Sequence, residues 1–154
     1  MGQTLRGRDS HDGDRNRRRL VAALGQDVVD FADTVTYRGM MFSGVPNLVW
    51  IMGYFRASWT LRADLLGDFT CRLLKHMDSK GATRVTPQLR PEDRNEPRLD
   101  WMDDANFNPA YLMRSMHLLP KRLNRPEWSH SQDYWNERKS LPAANLDDGC
   151  LRFG

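Results

Sequence analysis

The sequence predicts a small α+β unit, with one long helix set behind short strands and an irregular C-terminal region. Three observations carry this expectation. Residues 58–79 place apolar side chains at the helical period. The run LVWIMGY (48–54) is apolar throughout and of strand length, which suits a strand buried on both faces of a parallel sheet. Seven of the eight prolines lie between Pro87 and Pro142, where regular elements would be interrupted repeatedly. The 154 residues suffice for one domain of ordinary size. Leu, Ile, Val and Phe together number only 32, so the core is modest.

Composition narrows the function classes. No run of 18 apolar residues exists, so no membrane span is expected. The opening MGQTLRGRDSHDGDRNRRR has no apolar stretch that would mark a secretory leader. Arg6 stands where myristoylation needs Ser or Thr. Cys71 and Cys150 are the two cysteines, which make neither a disulfide framework nor a zinc quartet, and a cytoplasmic setting follows. The formal charge of +3 sits entirely in residues 1–20, which hold six Arg and three Asp. A nucleic-acid-binding domain would carry that excess on a folded face and supply aromatic rings for stacking, so no nucleic-acid partner is expected.

Residues 1–27 read as a disordered basic arm. Such an arm could touch nucleic acid or anionic lipid, or be a plain solvated tail, or reflect a start placed upstream of the real frame. Residues 28–154 form the second unit. VVDFADTVTY (28–37) alternates weakly and reads as strand; GMMFSGVPN is broken by Gly39, Gly44 and Pro46 into a turn-rich crossover. The strand–turn–helix of 48–79 follows. Ser58 is the N-cap, with Thr60 close behind; Trp59, Ala63, Leu66, Thr70, Leu73 and Met77 form the stripe, widened by Leu61, Leu65 and Phe69. Asp68 and Arg72 form a favourable (i, i+4) pair, and Gly81 stops the helix. Residues 87–154 are proline-rich coverage, with a surface excursion over 87–100, short helices at 109–117 and 131–139 (the second capped by Ser131), and LRFG as an edge strand.

Most catalytic signatures are absent. No G-x-G-x-x-G, P-loop, H-E-x-x-H or G-x-S-x-G occurs. His11, His76, His117 and His130 show no ligand spacing, so no metal is expected; His76 reads as a surface residue satisfying the helix dipole. Cys71 reads as a packed core thiol with no local base to activate it. No catalytic residue is assigned. The informative unit is NLVWIMGYFRASWTLRAD, in which a strand delivers the chain through a short turn to a helix N-terminus that favours negative charge. Arg56 adds a cation; Phe55 and Trp59 add flat apolar surface. Two readings stay open: a pocket wall for an anionic, aromatic ligand, or a plain connection with Trp59 in the core.

VTYRGMMFSGVPNLVWIMGYFRASWTLRADLLGDFTCRLL resembles the C-terminal part of FAD-containing Baeyer–Villiger monooxygenases, close to the ethionamide-activating type. The likeness continues through NFNPAYLMRSMHLLPKR, PEWSHSQDYW and LDDGCLRF, over roughly residues 28–153. The resemblance implies an α/β fold by inheritance, as part of a Rossmann-type flavoprotein. It implies an activity in which NADPH reduces FAD and oxygen is inserted into a small-molecule ketone or added to sulfur. It further implies flavin contact at Gly53, Tyr54, Ser58, Trp59 and Thr60, with Phe55, Arg56 and Trp59 on the substrate side. A helix N-terminus beside the electron-rich edge of reduced flavin is physically apt.

The departures are equally plain. The family carries two G-x-G-x-x-G motifs, an F-x-G-x-x-x-H-x-x-x-W fingerprint between them, and an A-T-G motif before the matching segment; none is present here. The expectation is a truncated copy that does not retain FAD or NADPH alone, since a flavin's pyrophosphate and adenosine would have no site. The alternative is a non-catalytic interaction module that pairs, through the helix of 58–79, with a separate N-terminal half or a full-length paralogue.

Overall fold

The structure, a computed structural model, describes residues 21–24, 27–103 and 109–154. The arm's residues 1–20 lie outside the described residues. β1 (Val21–Leu24), inside the stretch read from sequence as that arm, pairs antiparallel with β2 (Asp27–Asp30), which begins at its last residue. The chain then runs through β3 (Thr36–Tyr37), β4 (Met41–Phe42), α1 (Trp59–Ser79), β5 (Val85–Pro87), β6 (Leu99–Asp100), α2 (Ala110–Ser115), β7 (Lys121–Arg122), α3 (Tyr134–Ser140) and β8 (Leu151–Phe153).

The unit is mixed α and β, with strands in four two-stranded antiparallel ladders: β1–β2, β3–β4, β5–β8 and β6–β7. One parallel bridge, Val35 to Lys121, joins the region before α1 to the region after it. LRFG is the expected edge strand, pairing with β5 from Val85↔Phe153 to Pro87↔Leu151. Pro87 stands at a strand end, where its missing N–H costs little.

The expected buried strand over 48–54 does not form. Gly53 and Tyr54 are buried and Trp50 and Met52 half-buried, but Leu48 and Ile51 face solvent. A parallel strand needs ladder partners, and here the Trp50 N–H donates to the Met40 carbonyl at 2.6 Å outside any ladder. The run is apolar because it crosses between two clusters, dropping Val49 into one and Trp50, Met52 and Phe55 into the other.

α1 runs as the periodicity requires, with Ser58 at the N-cap and Gly81 at φ +64° ending it. Its buried face is Arg62, Leu66, Phe69, Leu73 and Met77. The four apolar members enter the main core with Tyr37, Met40, Met41, Trp128, Leu141 and Leu151. Each such burial contributes roughly 1.5–3 kcal/mol. The helix face expected to await a partner is therefore largely covered by the chain itself. Other details differ from expectation. Arg72 donates to the Leu141 and Ala144 carbonyls at 2.7 and 2.8 Å, tying α1 to the turn after α3 instead of to Asp68. Cys71 is exposed, because it falls on the solvent side of the five-residue buried face; Cys150 is the packed thiol. α3 is capped by Asp133, whose carboxylate accepts from the Trp135 and Asn136 N–H groups, while Ser131 Oγ accepts from the Asp133 N–H. The 87–100 excursion is anchored by a buried carboxylate, Asp93, held by Arg90 and the Trp128 Nε1–H. Burial alone would raise its pKa, but those bonds bring it below the usual carboxylate range.

Candidate functional site

The turn that leads into α1 is braced from inside. Arg62, one turn into the helix, has no exposed surface. Its Nε and Nη2 donate to the two oxygens of Glu137 on α3 at 2.9 and 3.2 Å, its Nη1 to the Met52 carbonyl at 2.7 Å, and its Nη2 to the Arg38 carbonyl at 3.2 Å. Tyr54 Oη donates to Glu137 Oε2 at 2.6 Å. A buried ion pair survives desolvation only when its remaining hydrogen-bonding capacity is met, as it is here. Burial first, and then the Glu137 carboxylate, push the Tyr54 phenol well above its ordinary range, so it stays a neutral donor. Gln132 completes the brace by accepting the Phe55 N–H on Oε1 at 2.9 Å.

Outside this brace, Trp59 lies against Gly53. Its ring occupies the space a side chain at 53 would need, so only glycine lets the turn and the indole meet. Trp59 is 49% exposed, which disposes of the reading that places it in the core. Ser58 Oγ sits 2.9 Å from Thr60 Oγ1 and makes no side-chain cap, and the first turn carries no acidic residue. The helix start is thus an open, uncompensated positive dipole end.

On the other side of the turn, a cavity of about 370 Å³ is lined by Phe55, Arg56, Trp101, Met102, Asp103, Arg122 and the 130–133 loop. The His130 imidazole stacks on the Trp101 indole with centroids 4.2 Å apart. Gly39, at φ +64°, lets the backbone pass His130 Cβ and Arg62 Nη2 where no side chain would fit. Burial first, then Arg62 and Arg122, push the His130 pKa down to about 3, so the ring is neutral.

The residues read from sequence therefore separate. Phe55 and Arg56 line the cavity; Gly53 and Tyr54 are buried beneath the turn, with the Tyr54 hydroxyl turned inward; Ser58, Trp59 and Thr60 are exposed at the helix start. Arg62, Glu137, His130 and Gln132 were missed. Arg62 alone left a signal, a cation one turn from Leu66 on the buried face. Among the described residues, no group of three or more His, Cys, Asp or Glu could hold a metal ion, and no helix is long and apolar enough to cross a membrane.

Comparison with known proteins is specific. No family model and no solved structure matches the chain. It is 43% identical over 129 residues to the FAD-containing monooxygenase EthA of Mycolicibacterium smegmatis, covering 84% of this chain and 25% of that protein. It is 40% identical over 132 residues to EthA of Mycobacterium tuberculosis, covering 86% of this chain and 26% of the relative. It is 36% identical over 125 residues to the probable FAD-binding monooxygenase AlmA of Acinetobacter baylyi, covering 81% and 24%. The chain thus spans about a quarter of the length of these curated relatives.

Proposed function

We infer from this kinship with the FAD-containing monooxygenases, of which the chain matches a C-terminal fragment, that it supplies the flavin-facing turn and part of the substrate wall of such an enzyme. The finer reading is Baeyer–Villiger oxygenation of a ketone, or oxygenation of sulfur, with NADPH as reductant. The observation that carries it is the open helix start beside a half-exposed Trp59. The residues fit one end of FAD. The N–H groups of Trp59 and Thr60 and the dipole behind them suit the pyrimidine edge of an anionic, reduced ring. Gly53 leaves the room in which the indole lies against the turn, and Phe55 and Arg56 face the neighbouring cavity. Nothing in the sequence suits the pyrophosphate, for want of any G-x-G-x-x-G. Bound FAD would supply the two electrons, taken from NADPH, with which O₂ is activated. This chain's own residues would orient the ring, stabilise its negative charge and exclude water on one side.

On this reading the chain alone neither retains FAD nor oxidises NADPH, and a separate N-terminal half or a full-length paralogue would complete it. Two preparations test it: the 154-residue chain, and a chimera in which its residues 28–153 replace the matching segment of the M. smegmatis relative. Flavin absorbance and NADPH oxidation are followed in both. The chimera is expected to hold flavin and turn over, and Trp59→Ala within it to lower kcat/KM about tenfold or more. A folded chimera indifferent to Trp59→Ala, or stoichiometric flavin retention with turnover by the chain alone, would overturn the reading.

A further inference from the structure

A groove of about 400 Å³ lies over the outer face of the β5–β8 ladder and shares no lining residue with the cavity beside Phe55. The pleat puts Arg84, Thr86 and Gln88 on that face, and the pairing of Thr86 with Arg152 puts Arg152 there too, while Val85, Pro87 and Leu151 turn inward and are buried. The Arg84 guanidinium lies across the ladder onto Gly154, where its Nη2 would stand only 3.3 Å from a Cβ. Arg152 is two residues back on the same strand, so the Arg84 guanidinium sits roughly 7 Å along the strand from the Arg152 backbone. Like charges placed so closely on one sheet face oppose each other. Nothing among the described residues offsets them: the side chains of Arg84 and Arg152, both exposed, make no ion pair and no hydrogen bond, those of Thr86 and Gln88 make no hydrogen bond, and no Asp or Glu lines the groove. The Gly154 oxygen is already engaged by the Thr83 and Arg84 N–H groups, at 2.9 and 2.7 Å. The surrounding backbone is fixed. The Gly44 N–H donates to the Pro87 carbonyl at 2.8 Å, Asn47 Nδ2 donates to the Thr83 carbonyl at 3.0 Å, and Asn47 Oδ1 accepts the Val85 N–H at 2.9 Å. These bonds hold Pro46 at the rim, where it and Val29 form an apolar wall.

We propose that this groove binds an organic phosphate monoester, whose phosphoryl oxygens bridge Arg84 and Arg152 while the Thr86 hydroxyl and the Gln88 amide add neutral donors and the organic part lies against Val29 and Pro46. Guanidinium forks match phosphate bidentately. A monoester carries close to two negative charges above its second pKa of about 6, and so offsets both cations, where a carboxylate or a sulfate ester would offset one. The volume is at the small end of ligand pockets. The proposal goes beyond the flavin reading and does not need flavin or a nicotinamide, so its test is made without them and its failure would leave that reading untouched.

The probe is phenyl phosphate, with phenyl sulfate as the monoanionic isostere, titrated into the full 154-residue chain by calorimetry and by NMR of the arginine Nε–H signals, assigned by their loss in Arg84→Gln and Arg152→Gln. A second arm uses phosphatidylcholine vesicles with and without phosphatidic acid, which present the same phosphoryl group on a membrane. Phenyl phosphate is expected to bind saturably, about tenfold or more tighter than the sulfate, and to move both Nε–H signals. Each glutamine variant is expected to lose about tenfold or more, and Arg94→Gln, an exposed arginine outside the groove, to lose nothing. Binding in the first arm names a soluble ester and binding in the second arm alone a lipid headgroup; either one, lost in both glutamine variants, supports the site. Both substitutions are at exposed side chains with no partner to lose, so the variants are expected to fold, which circular dichroism checks. No saturable binding in either arm, equal affinity for phenyl sulfate, or affinity unchanged in folded Arg84→Gln and Arg152→Gln, as it would be if the arginines of residues 1–20 took the phosphate, would overturn the proposal.

Discussion

Arg62 on α1 grips both carboxylate oxygens of Glu137 on α3, at 2.9 and 3.2 Å, and neither side chain reaches solvent appreciably. The pair locks the helix to an element 75 residues further along and fixes, through the Met52 carbonyl and the Tyr54 hydroxyl, the turn between them.

Removing one partner is expected to cost more than removing both. Glu137→Gln leaves a buried guanidinium without its counter-charge, which destabilises by about 3–5 kcal/mol. The double variant Arg62→Met, Glu137→Leu is expected to recover part of that loss, and Tyr54→Phe to cost about 1.5–3 kcal/mol. Urea unfolding of the wild type, Glu137→Gln, Tyr54→Phe, Arg62→Met, Glu137→Leu and the double variant measures this; additive effects of the last two single changes would show that the two groups do not act as a pair.

Gly53→Ala drives a methyl group into the Trp59 ring. The indole is displaced and stability falls by about 1–3 kcal/mol. In the Trp59→Ala background the same substitution is expected to be nearly neutral. Tryptophan fluorescence and a double-mutant cycle check both points.

The neutral His130 ties stability to pH. Its pKa is about 3 in the folded chain against an ordinary 6.5. The unfolded state therefore binds the extra proton between those values, and stability rises with pH across that window. It is complete above about pH 6.5 and declines as pH falls towards 3, by up to about 1.4 kcal/mol per pH unit. Asp93, held below its ordinary range, adds its own loss only at the acid end. Unfolding midpoints from pH 7 to 4 in the wild type and in His130→Leu test the assignment, because the variant is expected to lose most of the slope above pH 5.

The two thiols differ in access. Cys71 is exposed and Cys150 buried, and burial, then Asp148, pushes the Cys150 pKa up to about 12. A thiol reagent is expected to label one cysteine in the native chain and two in denaturant. Loss of labelling in Cys71→Ser identifies the reactive one.

What could be read from sequence was local. The bounds of α1, its Ser58 start and Gly81 stop, and the terminal strand follow from periodicity and end signals a few residues apart; the short helices expected at 109–117 and 131–139 form at Ala110–Ser115 and Tyr134–Ser140, the second capped by Asp133 and not by Ser131. The run at 48–54 misled because an apolar segment looks the same whether it enters a sheet or bridges two clusters. The stripe read on α1 counted Trp59, which is half-exposed, and missed Arg62, and Cys71 was read separately as packed; the true face is about one residue per turn, and it admits Arg62. Arg62 needs Glu137, Phe55 needs Gln132, and Trp101 needs His130. No pattern within a helical turn announces such distant pairings.

The β5–β8 ladder brackets residues 88–150, and with them both the ion-pair acceptor Glu137 and the stacked Trp101 and His130 rings. Closing that long segment is a non-local event that brings its entropic cost before its contacts can reward it. The helix and the β3–β4 hairpin join residues close in the chain, whereas the ladder and the Arg62–Glu137 pair join residues more than sixty apart, so the brace beneath the turn depends on the chain's longest-range contacts.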